Sequence, residues 1–130
     1  MLQEIKRQFL AYRNGIVADT LRAAGLDCYH IIFGLNLPQL TQIAATQTPS
    51  LALANALWAD RAVRESRLLA PYLFPRDEVT PALALTLLAS VQTQEEADIL
   101  TFRLLRHLPF FSTLTSPNPY AATSLARYRP

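Results

Sequence analysis

The chain has 130 residues, of which 51% are hydrophobic and 17% charged, a composition that excludes a disordered protein and predicts one compact domain over residues 1–130. Its net charge of +2, from 12 basic and 10 acidic residues, is low for a protein that binds nucleic acid through charge alone. One cysteine, two histidines and three isolated glycines predict no disulfide, no metal site and no cofactor-binding loop. The N-terminal residues lack the apolar core of a signal peptide, and no apolar run is long enough to cross a membrane, so a cytoplasmic protein is expected.

Apolar residues recur with helical spacing between regularly placed glycines, prolines and asparagines, and no segment shows sustained strand-like alternation. The chain is therefore predicted to be all-α, with seven or eight helices. The first helix carries the apolar stripe Leu2, Ile5, Phe9 and Tyr12 and ends before the Asn14-Gly15 turn. The further helices are predicted, in chain order, at residues 16–24, 37–45, 49–58, 62–73, 82–90, 94–107 and 119–128.

Several predicted helix starts carry typical capping residues. Thr48-Pro49 and Thr80-Pro81 each place a side-chain cap before a proline at the first helical position, and Asn118-Pro119 repeats this arrangement. Thr93 and Glu96 have the spacing of a capping box, which predicts where the seventh helix begins.

Successive helices form apparent pairs over residues 37–57, 61–90 and 93–128. The breaks between pairs recur roughly every 30 to 40 residues, a period typical of helical solenoids. This spacing predicts a HEAT-like right-handed superhelix of antiparallel helix pairs. A plain helical bundle is the structural alternative.

Two groups of arginines are candidates for contacts with phosphate. In the first, Arg61, Arg64 and Arg67 are spaced by three, which predicts a cationic row on the side of the fifth helix opposite its apolar stripe. Guanidinium groups bind phosphate in a bidentate manner, so such a row suits a nucleic-acid backbone. The alternative is a solvated face on which Asp60 and Glu65 pair with the arginines.

The second group, Arg103 and Arg106 with His107, lies at the predicted end of the seventh helix. Cations at this position can contact phosphate. They are also favoured there by the helix dipole, which is the alternative explanation.

Asp98 is the candidate catalytic carboxylate. Helical spacing is expected to place it on the side of Thr101, Phe102 and Leu105. A carboxylate held among apolar groups can act as a general base or stabilise a cationic intermediate. The alternative is a carboxylate favoured by the helix N-terminus.

The sequence resembles the AlkD-like DNA alkylation-repair family, whose members are built from HEAT-like helical repeats. The similarity extends from about Gly15 to Pro109 and depends on the order and spacing of three blocks. These blocks are Phe33-Gly34-Leu35-Asn36-Leu37-Pro38-Gln39-Leu40 with Ile43-Ala44, Leu57-Trp58 with Arg64-Glu65-Ser66-Arg67-Leu68-Leu69-Ala70, and Glu95-Glu96-Ala97-Asp98 with Phe102-Arg103-Leu104-Leu105.

The resemblance implies excision of N3- or N7-alkylated purines from duplex DNA, with a concave, arginine-lined surface holding the backbone. On the family pattern, Asp98 takes the position of the aspartate that stabilises the sugar cation formed as the base leaves. Gln94 stands where active members carry a tryptophan, and the sequence ends at Pro130, about where a later repeat would supply a further arginine. These departures predict weak or no base-excision activity and leave open whether the protein is an enzyme.

We therefore expect a DNA-repair-related module that binds duplex DNA through contacts between arginine and phosphate. The alternative is a non-catalytic protein–protein interaction scaffold that uses the same concave face, or that self-associates through its C-terminal end. Convergence of the five candidate arginines on one face would favour DNA, whereas scattered arginines and an apolar face would favour a protein partner.

Overall fold

The computed structural model describes residues 2–129, and these residues fold into eight α-helices, which confirms the all-α prediction. The helices are α1 (Leu2–Ala11), α2 (Gly15–Ala23), α3 (Leu37–Ala45), α4 (Leu51–Ala59), α5 (Arg64–Leu73), α6 (Pro81–Ala89), α7 (Gln94–Arg103) and α8 (Pro119–Tyr128). The chain divides into two compact units, called unit 1 and unit 2, at the bond between Leu73 and Phe74.

Three of the predicted caps, Thr80, Thr93 and Asn118, are confirmed and one, Thr48, is wrong. Thr80 accepts a hydrogen bond from the Leu83 N–H and so caps α6, and Asn118 caps α8 in the same way. The α4 helix, in contrast, begins at Leu51, and its cap is Ser50 instead of Thr48. The Ser50 N–H donates to the Leu73 carbonyl at 3.0 Å, and this tertiary contact fixes Ser50 in the extended conformation that a cap requires.

The α7 helix is shorter than predicted. It ends at Arg103, and a separate 3-10 turn covers Leu105–His107. Pro109 has no N–H and disfavours helical dihedral angles at Leu108, whose ψ is 144°. The last helical turn therefore tightens before the proline.

At the N-terminal end of α7, the Thr93 side chain accepts a hydrogen bond from the Glu96 N–H, while the Glu96 carboxylate accepts one from the Gln92 N–H at 2.9 Å.

Unit 1 is built around α5, which packs against α3 and α4. Every residue of α5 except Tyr72 is buried, so this helix has no solvated face. The surrounding helices contribute the apolar side chains Ile5, Phe9, Leu40, Ile43 and Leu57, each no more than 1% exposed. An isolated bridge between Ile31 and Val63 attaches the irregular segment before α3 to the start of α5.

Unit 2 is built around α7, which packs against α8 and against the 3-10 turn that follows it. Its core is mostly aliphatic and includes Ala84, Leu88, Leu100, Leu104 and Leu125. Because α7 and α8 lie side by side, polar side chains on the partly exposed sides of the two helices can meet.

Candidate functional site

The predicted cationic row on the fifth helix does not form. Arg61 is exposed in the turn before α5, but Arg64 and Arg67 are only 5% and 1% exposed. The prediction that these two arginines face solvent is wrong because α5 is surrounded on all sides, whereas a helix with one apolar stripe was expected.

Glu65 is fully buried and explains the position of Arg64. Its carboxylate accepts hydrogen bonds from three successive backbone N–H groups, those of Phe33, Gly34 and Leu35, at 2.9, 3.1 and 3.4 Å. The Arg64 guanidinium lies 2.7 Å from the same carboxylate and also donates to the Leu35 carbonyl at 3.1 Å. The pairing with Glu65 that the alternative explanation placed on a solvated face therefore exists, but it lies in the core of unit 1, where it links α5 to the irregular segment.

Gly34 has a structural role in this arrangement. Its φ angle is +83°, and a Cβ atom added there would lie 2.3 Å from the Asn14 carbonyl oxygen. Only glycine fits such a close approach combined with a positive φ. The Phe33-Gly34-Leu35 segment therefore serves to present its N–H groups to Glu65.

Arg67 is held against Trp58. The guanidinium carbon lies 3.8 Å from the centroid of the indole ring, and Nη1 donates to the Trp58 carbonyl at 2.7 Å. A buried cation stacked on an aromatic ring and bonded to a backbone carbonyl contributes to folding. The residues of the first two blocks that resemble the repair family thus form the structural centre of unit 1.

Asp98 lies at the contact between α7 and α8, where three side chains converge on its carboxylate. Gln94 donates to Oδ1 at 3.1 Å, the buried Ser124 hydroxyl donates to the same oxygen, and Arg127 Nη1 lies 2.6 Å from Oδ2. Gln94 also donates to the Tyr120 carbonyl at 3.1 Å. The charge of Asp98 is therefore balanced by Arg127, and its oxygens are occupied by donors from both helices.

The residues that lie on the same side of α7 as Asp98 are only in part the ones predicted. Phe102, one turn further along, is 38% exposed and continues the same side of the helix. Thr101 and Leu105, which were expected beside Asp98, are fully buried in the core of unit 2. Asp98 therefore lies next to an exposed aromatic ring at the surface, with about a quarter of its side chain accessible to solvent.

Arg103 and Arg106 both lie beside Phe102, as the spacing of the second arginine group allows. The Arg106 guanidinium carbon is 4.0 Å from the centroid of the Phe102 ring, and that of Arg103 is 5.5 Å away. Arg106 Nε donates to the Phe102 carbonyl at 2.8 Å. Phe102 also contacts the Tyr128 ring of α8, with 5.9 Å between ring centroids.

These contacts form two groups on α7 and α8, which lie one helical turn apart on α7 and are together called the α7–α8 surface. The first group is Asp98 with Arg127, and the second is Phe102 with Arg103, Arg106 and Tyr128. The α7–α8 surface carries three guanidinium groups and one carboxylate. Burial, and then the neighbouring Arg76 and Arg106, lower the pKa of His107, which adjoins this surface. His107 is therefore neutral at pH 7, and the positive charge comes from the arginines.

Sequence reasoning did not connect Arg127 or Ser124 with Asp98. Ser124 and Arg127 are three residues apart on α8, so they lie on one side of that helix, but 26 and 29 residues separate them from Asp98. Only the packing of α8 on α7 shows that these groups meet.

Over residues 2–129, no cluster of histidine, cysteine or acidic residues could hold a metal ion, and no helix is long and apolar enough to span a membrane.

Comparison with protein-family models, with curated proteins and with solved structures gives no match. The resemblance to the alkylation-repair family therefore depends on the three sequence blocks alone.

Proposed function

We propose that this chain is a DNA-repair-related module that binds duplex DNA through contacts between arginine and phosphate, with weak or no base-excision activity. We further propose that its helix pairs stack as HEAT-like repeats in a right-handed superhelix. The packing of α7 on α8 supports the predicted pair over residues 93–128. The packing of α4 on α5 instead joins helices from two different predicted pairs, 37–57 and 61–90. The observation that carries the proposed function is the way Arg106 is held on the α7–α8 surface.

Arg106 is fixed by Phe102 at two places. Its planar face covers the ring, and its Nε donates to the Phe102 carbonyl. Among the described residues, nothing accepts a hydrogen bond from its Nη1 or Nη2. These two groups form the fork that binds a phosphate in a bidentate manner, and because the guanidinium is already ordered, binding costs less side-chain entropy.

One neighbouring cation suits the same ligand. Arg103 lies beside the same ring, whereas the charge of Arg127 is already balanced by Asp98. The five candidate arginines do not converge on one face, because Arg64 and Arg67 are buried. The proposal therefore depends on the three that remain for contacts with phosphate: Arg61, Arg103 and Arg106. Fewer contacts imply weaker binding and a weaker dependence on salt than five arginines would give.

Binding to a fluorescein-labelled duplex oligonucleotide is expected to weaken with salt. About two to three phosphate contacts predict a slope of roughly −2 to −3 for log K against log[salt]. Replacement of Arg106 by alanine is expected to weaken binding and to bring that slope about one unit closer to zero. Fluorescence anisotropy titrations at several NaCl concentrations measure both quantities.

The matched control for this experiment is Arg13→Ala. Arg13 is exposed, donates only to the nearby Leu10 carbonyl and is not one of the three arginines assigned to phosphate, so its removal should leave the slope unchanged. Equal slopes for the natural sequence and Arg106→Ala would contradict the assignment of Arg106. Absence of duplex binding at low salt would contradict the proposed function and favour the protein-interaction scaffold.

Release of 7-methylguanine or 3-methyladenine from alkylated duplex DNA is expected to be absent or very slow. Stabilisation of a sugar cation requires a carboxylate whose charge is directed at the sugar, and here Arg127 balances the charge of Asp98. Gln94, at the position of the family's tryptophan, donates to that same carboxylate and offers no aromatic face. Chromatography of bases released under multiple-turnover conditions measures this activity.

Asp98→Asn is the informative variant for the same assay. Asparagine keeps the size of the side chain but removes the charge that pairs with Arg127. If the natural sequence releases bases rapidly and Asp98→Asn does not, the protein is an enzyme and the proposal is wrong on this point. If neither protein releases bases while both bind the duplex, the non-catalytic function is supported.

A further inference from the structure

We infer that unit 1 carries a second binding site, a groove along α1 that takes a short peptide presenting an apolar side chain next to a carboxylate. The groove has a volume of about 380 Å³ and is lined by Gln3, Lys6, Arg7, Leu10 and Phe33. It is independent of the α7–α8 surface, and the inference does not depend on the proposed function.

The groove results from the spacing of residues on α1. Gln3, Lys6, Arg7 and Leu10 follow the i, i+3, i+4, i+7 pattern, which places them on one side of the helix. This side lies away from the buried Ile5 and Phe9, which face the core.

The floor of the groove is apolar. Phe33, from the irregular segment before α3, lies in the groove and packs its ring against Phe9, with 5.7 Å between centroids. Leu10 is 48% exposed. A large apolar side chain that remains accessible beside an aromatic ring offers a contact that an apolar ligand group would cover.

Of the two basic side chains that line the groove, one is paired with a carboxylate and the other is not. Lys6 is paired with Asp60 at 3.0 Å, and Asp60 also accepts a hydrogen bond from the Ser66 hydroxyl. Arg7 is exposed, and within residues 2–129 no acidic group pairs with it. The groove therefore carries one unbalanced positive charge beside its apolar lining, and the complementary ligand carries a carboxylate close to an apolar group.

A peptide fits this groove better than a small molecule does. Small-molecule sites enclose most of the surface of their ligand, whereas Gln3, Arg7 and Leu10 are all exposed here. A peptide can insert one apolar anchor and leave its remaining residues along the open side of the helix. The excess of cations in unit 1, with seven basic and five acidic residues up to Leu73, also favours an acidic partner.

The experiment begins with random peptides displayed on phage, selected on the full chain and depleted on the Leu10→Gln variant. The expected result is enrichment of peptides in which Asp or Glu lies within two residues of Leu, Ile, Phe or Trp. A labelled peptide of the enriched sequence is then titrated with the full chain by fluorescence anisotropy. Arg7→Glu and Leu10→Gln are each expected to weaken binding about tenfold or more.

Two controls make this result specific. Arg13→Glu makes the same change of charge close to the end of α1 but outside the groove, and should change the affinity less than about twofold. The enriched peptide with its acidic residue changed to the amide should bind the natural chain as weakly as the original peptide binds Arg7→Glu.

Several outcomes would overturn the inference. These are enrichment without acidic residues, equal binding by the natural chain and both groove variants, and no enrichment at all. Sedimentation showing a dimer that Leu10→Gln dissociates would assign the groove to a second copy of the chain. If Arg7→Glu lowers duplex affinity as much as Arg106→Ala does, while peptide binding is unchanged, the groove belongs to a DNA-binding surface.

Discussion

Replacement of Glu65 by alanine is expected to lower the free energy of unfolding by about 3–5 kcal/mol, because it removes one partner of a buried ion pair. The Arg64 guanidinium would remain in the core without its carboxylate, since its position is fixed by the bond to Leu35. The N–H groups of Phe33, Gly34 and Leu35 would lose their shared acceptor. Because unsatisfied buried donors each carry a desolvation cost, the part of the irregular segment that holds these three N–H groups would lose its attachment to α5, whereas the Ile31–Val63 bridge would remain.

Urea denaturation followed by far-UV circular dichroism measures this loss. Glu65→Gln keeps the shape and one carbonyl oxygen but not the charge, so it should lose less stability than Glu65→Ala. Glu4→Ala, an exposed carboxylate on α1, is the control and should change stability by no more than about 0.5 kcal/mol. If Glu65→Ala is as stable as this control, the carboxylate does not hold the segment in place.

Local patterns in the sequence were sufficient to predict most of the helices. The α3 helix runs over Leu37–Ala45 as predicted, and α6 and α8 begin at the predicted caps. Such boundaries depend on capping side chains and prolines that act within a few residues. The predicted helix boundaries are wrong where a contact with a residue distant in sequence determines them. The start of α4 is an example, because its cap Ser50 donates its N–H to the Leu73 carbonyl.

The candidate sites were harder to predict because charge patterns do not reveal tertiary partners. Three arginines spaced by three on an amphipathic helix are typical of a solvated face. Here Glu65 accepts from backbone groups about 30 residues earlier in the chain, and Arg67 lies on an indole ring nine residues away. The spacing around Phe102 was informative, because Asp98 and Arg106 lie one helical turn from that residue and need no distant partner to be grouped with it.

Arg67→Ala distinguishes a structural arginine from one that binds DNA. Truncation removes the stack on Trp58 and the bond to its carbonyl. Desolvated cation–π contacts contribute about 2 kcal/mol and hydrogen bonds to charged groups about 1.5–3 kcal/mol, so a loss of about 3 kcal/mol or more is expected. Arg67→Lys keeps the charge but not the planar group that stacks on the ring, and should also be clearly destabilised.

The same variants are then tested for duplex binding at a temperature where they remain folded. Since Arg67 is only 1% exposed, it cannot reach a phosphate, and the affinity and salt slope of Arg67→Lys should match those of the natural chain. Arg106→Lys should behave in the opposite way, with unchanged stability and weaker binding, because its guanidinium is exposed and already ordered. An Arg67→Ala protein of natural stability that loses duplex affinity would restore the cationic row on α5 and contradict the burial described here.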